Sequence, residues 1–174
     1  NMQVKWTLHD CWAFTGHCSH YVSINCEQWK IQCHNCPLKS SYPKALIFDN
    51  SKKMYCLKKE WFTGVENLTI VTPSEWLANL VKQSFLKDYP IKVIHNGIDL
   101  GIFREKYNIA KDKFILLGVA FGWGKRKGLD VFIELSKRLD NEKYQIVLVG
   151  TDDNVDKQLP QNILSIHRTQ NQKE

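Results

Sequence analysis

Strand-like apolar segments alternate with segments of helical period along most of this 174-residue chain. Short runs rich in apolar and β-branched residues are typical of strands, and six of them occur: "VKWTL" (4–8), "LTIVT" (68–72), "IKVI" (91–94), "KFILLGVA" (113–120), "QIVLVG" (145–150) and "ILSIH" (163–167). Strands that alternate with helices build α/β layers around a parallel sheet. We therefore predict an α/β fold of doubly wound parallel sheets. In it, 4–8 ends a buried strand, and 113–120 and 145–150 are buried strands.

Three segments between these strands are predicted helices, because their apolar side chains recur every three or four residues. The first covers 45–62, with a partial apolar face of Leu46, Ile47, Met54, Leu57 and Trp61. The second follows Ser74, a predicted N-cap, and its apolar residues are Leu77, Leu80, Val81 and Phe85. The third covers 128–139, with a stripe of Leu129, Phe132, Ile133, Ser136 and Leu139.

Two strand–helix series meet near residues 95–112, and neither looks complete. The chain opens inside a strand and stops at "RTQNQKE", where a further helix should begin. We therefore expect the chain to be a middle piece of a longer two-domain protein, with residues 1–95 in one domain and 96–174 in the next.

The charge balance suits an anionic partner without identifying it. The net charge is +6 and the sequence pI is about 9.0. No apolar run approaches the roughly 20 residues of a membrane span, and "NMQVKWTLHD" lacks the pattern of a secretory signal. We therefore expect a cytoplasmic protein, whose six cysteines are reduced thiols or metal ligands rather than disulfides.

The segment "FGWGKRKGLDVFIEL" (121–135) places Lys125, Arg126 and Lys127 directly before Gly128 and a predicted helix. A helix N-terminus already carries partial positive charge, so added cations favour an anionic ligand there. The glycine pattern is neither a Walker loop nor a dinucleotide fingerprint. A phosphate site and a merely solvated basic loop are equally compatible with this spacing.

Over residues 11–44 we predict a long irregular loop. Such a loop is uncommon in a compact domain unless it is functional or a further interaction holds it in place. Four of its cysteines are spaced C-x7-C-x6-C-x2-C: Cys18, Cys26, Cys33 and Cys36. We favour a structural zinc site over four reduced thiols, and His17, His20 or His34 could replace one cysteine. Cys11 and Cys56 are expected to be simple packing residues.

A resemblance separates the alternatives at the basic loop. The segments "TLHDCWAFTGHC", "CEQWKIQCHNCP", "TIVTPSEWLANL", "VIHNGID", "GVAFGWGKRKGLDVFIEL" and "IVLVG" occur in an order that resembles bacterial retaining glycosyltransferases of family four. The resemblance covers essentially the whole chain. It implies the two-domain GT-B fold, with 1–95 in the acceptor-side Rossmann-like domain and 96–174 opening the nucleotide-sugar domain. The Cys-rich loop is then an insertion.

The resemblance also implies site residues. Lys127 grips the donor diphosphate, with Arg126, Lys125 and Gly128 beside it, and Gly150 and Thr151 form a nucleotide-side loop. His9, at the end of the first strand, faces the donor sugar, whereas a histidine held by Asp10 is the alternative interpretation. Many relatives carry a further diphosphate-binding arginine where this chain has "AFGW", and their carboxylate pair lies in a segment beyond Glu174. The chain alone is therefore not expected to catalyse sugar transfer.

The implied activity is transfer of a hexosyl-type sugar from a nucleotide-diphosphate donor to a glycan or lipid-linked acceptor in surface-polysaccharide synthesis. No cofactor is expected for transfer, and no nucleic-acid partner; a peripheral contact with the cytoplasmic face of the inner membrane is compatible with it. Two other functions stay open. One is a zinc-bearing nucleic-acid-binding module, suggested by the basic pI, the thiols and the aromatic residues. The other is a GT-B nucleotide-sugar epimerase.

Overall fold

A computed structural model describes residues 2–45, 47–103 and 112–168. It divides the chain into two compact units, Asn1–Gly97 and Ile98–Glu174. Each contains a three-stranded parallel sheet with helices, which confirms the predicted α/β class. The first unit contains β1 (Val4–Thr7), α1 (Ser51–Thr63), β2 (Leu68–Thr72), α2 (Glu75–Val81) and β3 (Ile91–Val93). The second contains β4 (Phe114–Val119), α3 (Leu129–Arg138), β5 (Tyr144–Thr151), α4 (Asp153–Asp156) and β6 (Ile163–His167).

The first sheet has the order β1-β2-β3, with β2 in the centre. Its register pairs Trp6 with Ile70 and Ile70 with Ile91. Ile70 is fully buried, as expected for a central strand. The expectation of a buried first strand was wrong for β1 itself, because β1 is an edge strand in which only Trp6 is half-buried.

Helix α1 differs from its prediction in both start and orientation. It begins at Ser51, not at residue 45. Leu46 lies outside the described residues, and Ile47 is 81% exposed. The buried face consists of Ser51, Tyr55 and Lys58 rather than the predicted apolar residues, of which Met54 and Leu57 are half-buried and Trp61 is exposed. The physical reason is that the loop before α1 supplies carbonyl partners for the polar ends of Tyr55 and Lys58.

Helix α2 begins as predicted. The Ser74 hydroxyl accepts a hydrogen bond from the Leu77 N–H at 3.3 Å, which is N-cap geometry. Leu77 and Val81 are buried against the sheet. Phe85 packs on the same core, although the helix ends at Val81 and Phe85 follows in a turn.

The second sheet has the order β4-β5-β6. In the central strand β5, Ile146, Val147 and Leu148 are buried as predicted. In β4, Leu117 and Val119 are exposed, so the prediction of burial on both faces was wrong. β4 is an edge strand, and only its Leu116 and Gly118 face meets the core beneath α3.

The stripe predicted on α3 is confirmed. Leu129 and Ser136 are buried, and the other three members are half-buried: Phe132, Ile133 and Leu139. Within the described ranges, none of the helices combines the length and the apolar character that crossing a bilayer requires.

Candidate functional site

The basic loop lies between β4 and α3, at the edge where the carboxyl ends of β4, β5 and β6 meet. Lys125–Lys127 form one turn of 3-10 helix. Gly128 follows with φ +74°, a left-handed conformation that favours glycine. This backbone reversal lets the chain leave the turn and enter α3.

Three backbone N–H groups at the junction of this loop with α3 are used within it. The N–H groups of Lys127 and Leu129 both donate to the Gly124 carbonyl, at 2.9 and 3.3 Å, and that of Gly128 donates to the Lys125 carbonyl at 3.0 Å. The sequence predicted partial positive charge at the start of this helix, next to the three cations. In this conformation, the side chains of Lys125, Arg126 and Lys127 are the main positive groups available to an anionic ligand.

These three side chains are all exposed. Within the described ranges, none of them makes a salt bridge with a carboxylate. Like charges in water repel by only about 1 kcal/mol at 4 Å, so their clustering alone is weak evidence of a ligand. Their position at the carboxyl edge of a parallel sheet is stronger evidence, because such folds bind ligands there.

Trp123 anchors the basic loop by a hydrogen bond to the sheet and a ring contact with α3. Its indole N–H donates to the Val149 carbonyl at 3.0 Å, and its ring packs edge-on against Phe132 at 5.5 Å. The loop is thus tied both to the end of β5 and to the first turn of α3. Such anchoring limits the movement of a loop that presents charged groups.

Gly150, predicted to border the nucleotide, is required by close backbone packing. It has φ +86°, and a Cβ there would collide with the Ala120 carbonyl oxygen. The ends of β4 and β5 therefore approach each other closely beside the basic loop. Thr151, its predicted companion, is buried, and its hydroxyl shares a 2.6 Å hydrogen bond with Ser165. The Thr151 side chain thus forms its hydrogen bond inside the protein in this structure.

That hydrogen bond belongs to a polar network that the sequence did not reveal. Ser165 donates to one carboxylate oxygen of Asp156 at 2.6 Å, and His167 Nε2 lies 2.7 Å from the other. Hydrogen bonds from Ser165 and His167 lower the pKa of Asp156, and the bond to Asp156 raises the pKa of His167. Asp153 lies 3.9 Å from the same imidazole nitrogen.

These residues also form a group with metal-ligand character. Among the described residues, Asp153, Asp156 and His167 are the set of three whose ligand atoms all lie within 4.8 Å of one another. Asp156 is already bonded on both oxygens by protein donors. The arrangement is therefore satisfied as an internal network that joins α4 to β6.

Arg168 is a further residue that the sequence analysis missed. It directly follows β6, and its guanidinium lies 4.3 Å from the centre of the Phe121 ring. It thus brings a fourth cation to the loop, beside Phe121 of the "AFGW" segment. Its position after a parallel strand was the available signal, since all such strand ends meet at one edge.

In the first unit, His9 is exposed and lies two residues beyond β1. Asp10 accepts a hydrogen bond from the Trp12 N–H at 2.8 Å. Among the described residues, no hydrogen bond joins the His9 ring to Asp10. The interpretation of His9 as a residue held by Asp10 therefore gains no support.

The Cys-rich loop is irregular, as predicted, with three short 3-10 turns: Trp12–Phe14, Val22–Ile24 and Gln28–Lys30. Its centre is aromatic, with the Trp29 ring 5.3 Å from Phe14 and 5.2 Å from Tyr21. Cys11 is fully buried there, as expected for a packing residue. Cys56 is exposed on α1, so the packing prediction was wrong for this cysteine.

Of the four remaining cysteines, Cys18 and Cys33 are buried and Cys26 and Cys36 are half-buried. Among the described residues, no three of their sulfur atoms lie within 4.8 Å of one another. Burial, together with the smaller effects of the charges of Cys36, Cys33 and Cys26, raises the pKa of Cys18 to about 12. Burial likewise raises the pKa of Cys33 to about 11, an effect that an N–H···S bond from Gly16 opposes. That bond is 3.2 Å long. All six cysteines of the chain are free thiols.

Lys58 of α1 lies beneath the same loop. It is 1% exposed and donates to the carbonyls of Trp12 at 2.7 Å and Thr15 at 3.0 Å. Its ammonium also lies 3.4 Å from the centre of the Trp12 ring. Burial lowers the pKa of Lys58 to about 8, and the charges of Cys33 and Cys18 oppose that shift.

Comparison with known proteins gives one partial similarity. No protein-family model matches the chain. Over 102 residues, 58% of this chain, the sequence is 33% identical to the putative colanic acid biosynthesis glycosyl transferase WcaC of Escherichia coli (strain K12). The match spans about a quarter (24%) of that relative's length. Over more than half of its own length, this chain is therefore similar to a glycosyltransferase.

Proposed function

We propose that this chain is part of a retaining glycosyltransferase of family four that moves a sugar from a nucleotide-diphosphate donor to a glycan or lipid-linked acceptor of a bacterial surface polysaccharide. The observation that carries the proposal is the cluster of exposed cations at the carboxyl edge of the second parallel sheet. The similarity to a glycosyltransferase named for colanic acid biosynthesis supports it.

The donor diphosphate is assigned to the basic loop. Lys127 supplies a compact point charge, and Arg126 a planar fork suited to phosphate oxygens. Lys125 and Arg168 add charge on either side of the segment that Trp123 anchors. Because the N–H groups of Lys127, Gly128 and Leu129 are bonded internally, we expect the charged side chains to contribute much of the donor affinity.

His9 is assigned the catalytic role in this proposal. An imidazole N–H donates a hydrogen bond that strengthens as negative charge develops on the leaving diphosphate. Such an interaction stabilises the transition state more than the bound donor, and therefore acts on turnover. Exposure of His9 just beyond β1 leaves its ring accessible to a ligand.

The test of donor binding compares two lysines of the same loop–helix segment. Lys127→Ala should weaken binding of pyrophosphate and of nucleoside diphosphates about tenfold or more, because a charge-assisted contact is lost. Lys137→Ala is the matched control. It lies in the last turn of α3, about 15 Å along the helix, in an exposed pair with Glu134 that contributes little.

Isothermal titration calorimetry with the purified chain measures both affinities. Equal affinities for wild type, Lys127→Ala and Lys137→Ala would contradict the assignment of the diphosphate to this loop. Salt-sensitive oligonucleotide binding that pyrophosphate does not displace would instead favour the nucleic-acid-binding module.

A further inference from the structure

We propose that a cavity of the first unit binds a hexuronic acid unit of a glycan, with the sugar ring on Trp12 and the carboxylate near Lys44. The cavity has a volume of about 450 Å³ and lies between the Cys-rich loop, the segment that follows it and α1. This volume is within the range of small-molecule sites. The inference rests on the proposed function, because it names an acidic sugar as part of the acceptor.

Trp12, which lines the cavity, is exposed but firmly held. Its N–H donates to the Asp10 carboxylate at 2.8 Å, and its carbonyl accepts a hydrogen bond from Lys58 at 2.7 Å. The Lys58 ammonium also lies 3.4 Å from the ring centre and covers one face of the indole. Trp12 is nevertheless 41% exposed. A rigid aromatic ring offers apolar contact area at a low entropic cost, and the C–H face of a sugar packs on such a surface.

Lys58 is a buried cation without an anionic partner. It is 1% exposed and lines the same cavity. None of the salt bridges found in the described ranges includes it. Its hydrogen bonds go to the carbonyls of Trp12 and Thr15, which carry no net charge. Because buried charges are normally paired, an anion in the cavity would supply the missing opposite charge.

The other polar groups of the cavity agree with an acidic sugar. Of the described residues that line it, none is Asp or Glu, whereas Lys44 adds a second, exposed cation. Asn50 adds an amide, which donates to and accepts from hydroxyl groups. A hexuronic acid unit combines a carboxylate, several hydroxyls and an apolar C–H face. It therefore matches the cations, the amide and the indole together.

The position in the fold agrees with an acceptor role. Trp12 follows His9 by three residues, and both come after the carboxyl end of β1. The proposed catalytic residue and the cavity thus belong to the same part of the first unit. A sugar bound on Trp12 is then a neighbour of the unit that receives the transferred sugar.

NMR titration of the purified chain with the methyl glycosides of glucuronic and galacturonic acid tests the proposal. Each uronide should bind about tenfold or more tightly than its neutral partner, methyl glucoside or methyl galactoside, because its carboxylate meets the two cations. Trp12→Ala should weaken uronide binding about tenfold or more, and Trp12→Phe should retain most of it. The control is Trp61→Ala, an exposed tryptophan of α1 that does not line the cavity.

A second variant covers the case in which a Trp12 substitution prevents folding. Lys44→Gln removes an exposed charge, and it should weaken binding of the uronides while leaving that of the neutral glycosides unchanged. Lys59→Gln, which changes an exposed lysine of α1 outside the cavity, should leave both unchanged.

Four results would overturn the assignment: no saturable binding of either uronide to wild type, full uronide affinity in Trp12→Ala, full uronide affinity in Lys44→Gln, or displacement of the uronide by an equal concentration of acetate. Phosphatidylglycerol vesicles that bind wild type but not Trp12→Ala, without uronide binding, would replace the sugar by a lipid surface. Pyrophosphate titration of the same samples separates the two proposals. Pyrophosphate binding that depends on Lys127, without uronide binding, contradicts the acidic sugar alone, and the reverse result contradicts only the diphosphate site.

Discussion

At the scale of residues, Gly150 is the position at which the backbone most clearly requires glycine. Its φ of +86° lies in the left-handed region, and a Cβ there would collide with the backbone of Ala120. Gly124, in the same segment of structure, has an extended φ of 178° and open space around its Cα. Glycine is therefore required by the backbone at position 150, whereas a larger residue fits at position 124.

Gly150→Ala should destabilise the chain, because it combines a strained φ with a backbone collision. Strain of this type costs on the order of 1–3 kcal/mol, before the collision is counted. Gly124→Ala, the matched control, should change the free energy of unfolding by less than about 0.5 kcal/mol. Urea unfolding measures both, and equal stability of the two variants would show that β4 and β5 are further apart at this edge.

At the scale of elements, the network from β5 through α4 to β6 gives a pH-dependent contribution. The hydrogen bond to Asp156 raises the folded-state pKa of His167 above its unfolded value. Its stabilising effect is therefore complete below the unfolded pKa and is lost as the pH rises through the folded pKa. Asp153 acts on the same ring from 3.9 Å, more weakly than Asp156 at 2.7 Å.

Asp156→Asn should lower the pKa of His167 toward its ordinary value, measured by NMR titration of the imidazole. Asp153→Asn is the control and should lower it less. As the pH rises from about 6 to about 8, the wild type should lose more stability than Asp156→Asn. Equal His167 pKa values in wild type and Asp156→Asn would show that the two side chains are not paired in solution.

Elements whose own residues determine them were predictable, and those that depend on distant partners were not. The stripe of α3 and the Ser74 cap follow from local periodicity and capping chemistry. The buried face of α1 does not, because Lys58 is buried only where the carbonyls of Trp12 and Thr15 receive it. The partly exposed β4 likewise reflects its edge position, which its apolar sequence does not encode.

The candidate site divides in the same way. The position of the basic loop before α3 follows from the alternation of strands and helices. The internal bonds of the Lys127, Gly128 and Leu129 N–H groups could not be predicted, because they depend on the backbone angles at Gly124 and Gly128. Arg168 reaches the loop from a strand more than forty residues later in the chain, so its contribution needed the tertiary structure.

At the scale of the whole molecule, the chain consists of two units with separate cores, and each contains a three-stranded parallel sheet. The first unit carries His9 and the Cys-rich loop, and the second carries the basic loop. Acceptor-side and donor-side roles for the two units remain predictions. The central claim, glycosyl transfer from a nucleotide-diphosphate donor, assigns a separate task to each.

The kinetics of His9→Ala test that claim most directly, in the protein that carries this chain and with its nucleotide-sugar donor. We predict that kcat falls on the order of 100-fold or more, while the dissociation constant of the nucleoside diphosphate changes little. That split is expected because the hydrogen bond matters most as the leaving group gains charge. A variant that keeps near-normal kcat, or that loses donor affinity in proportion to turnover, would contradict the catalytic role of His9.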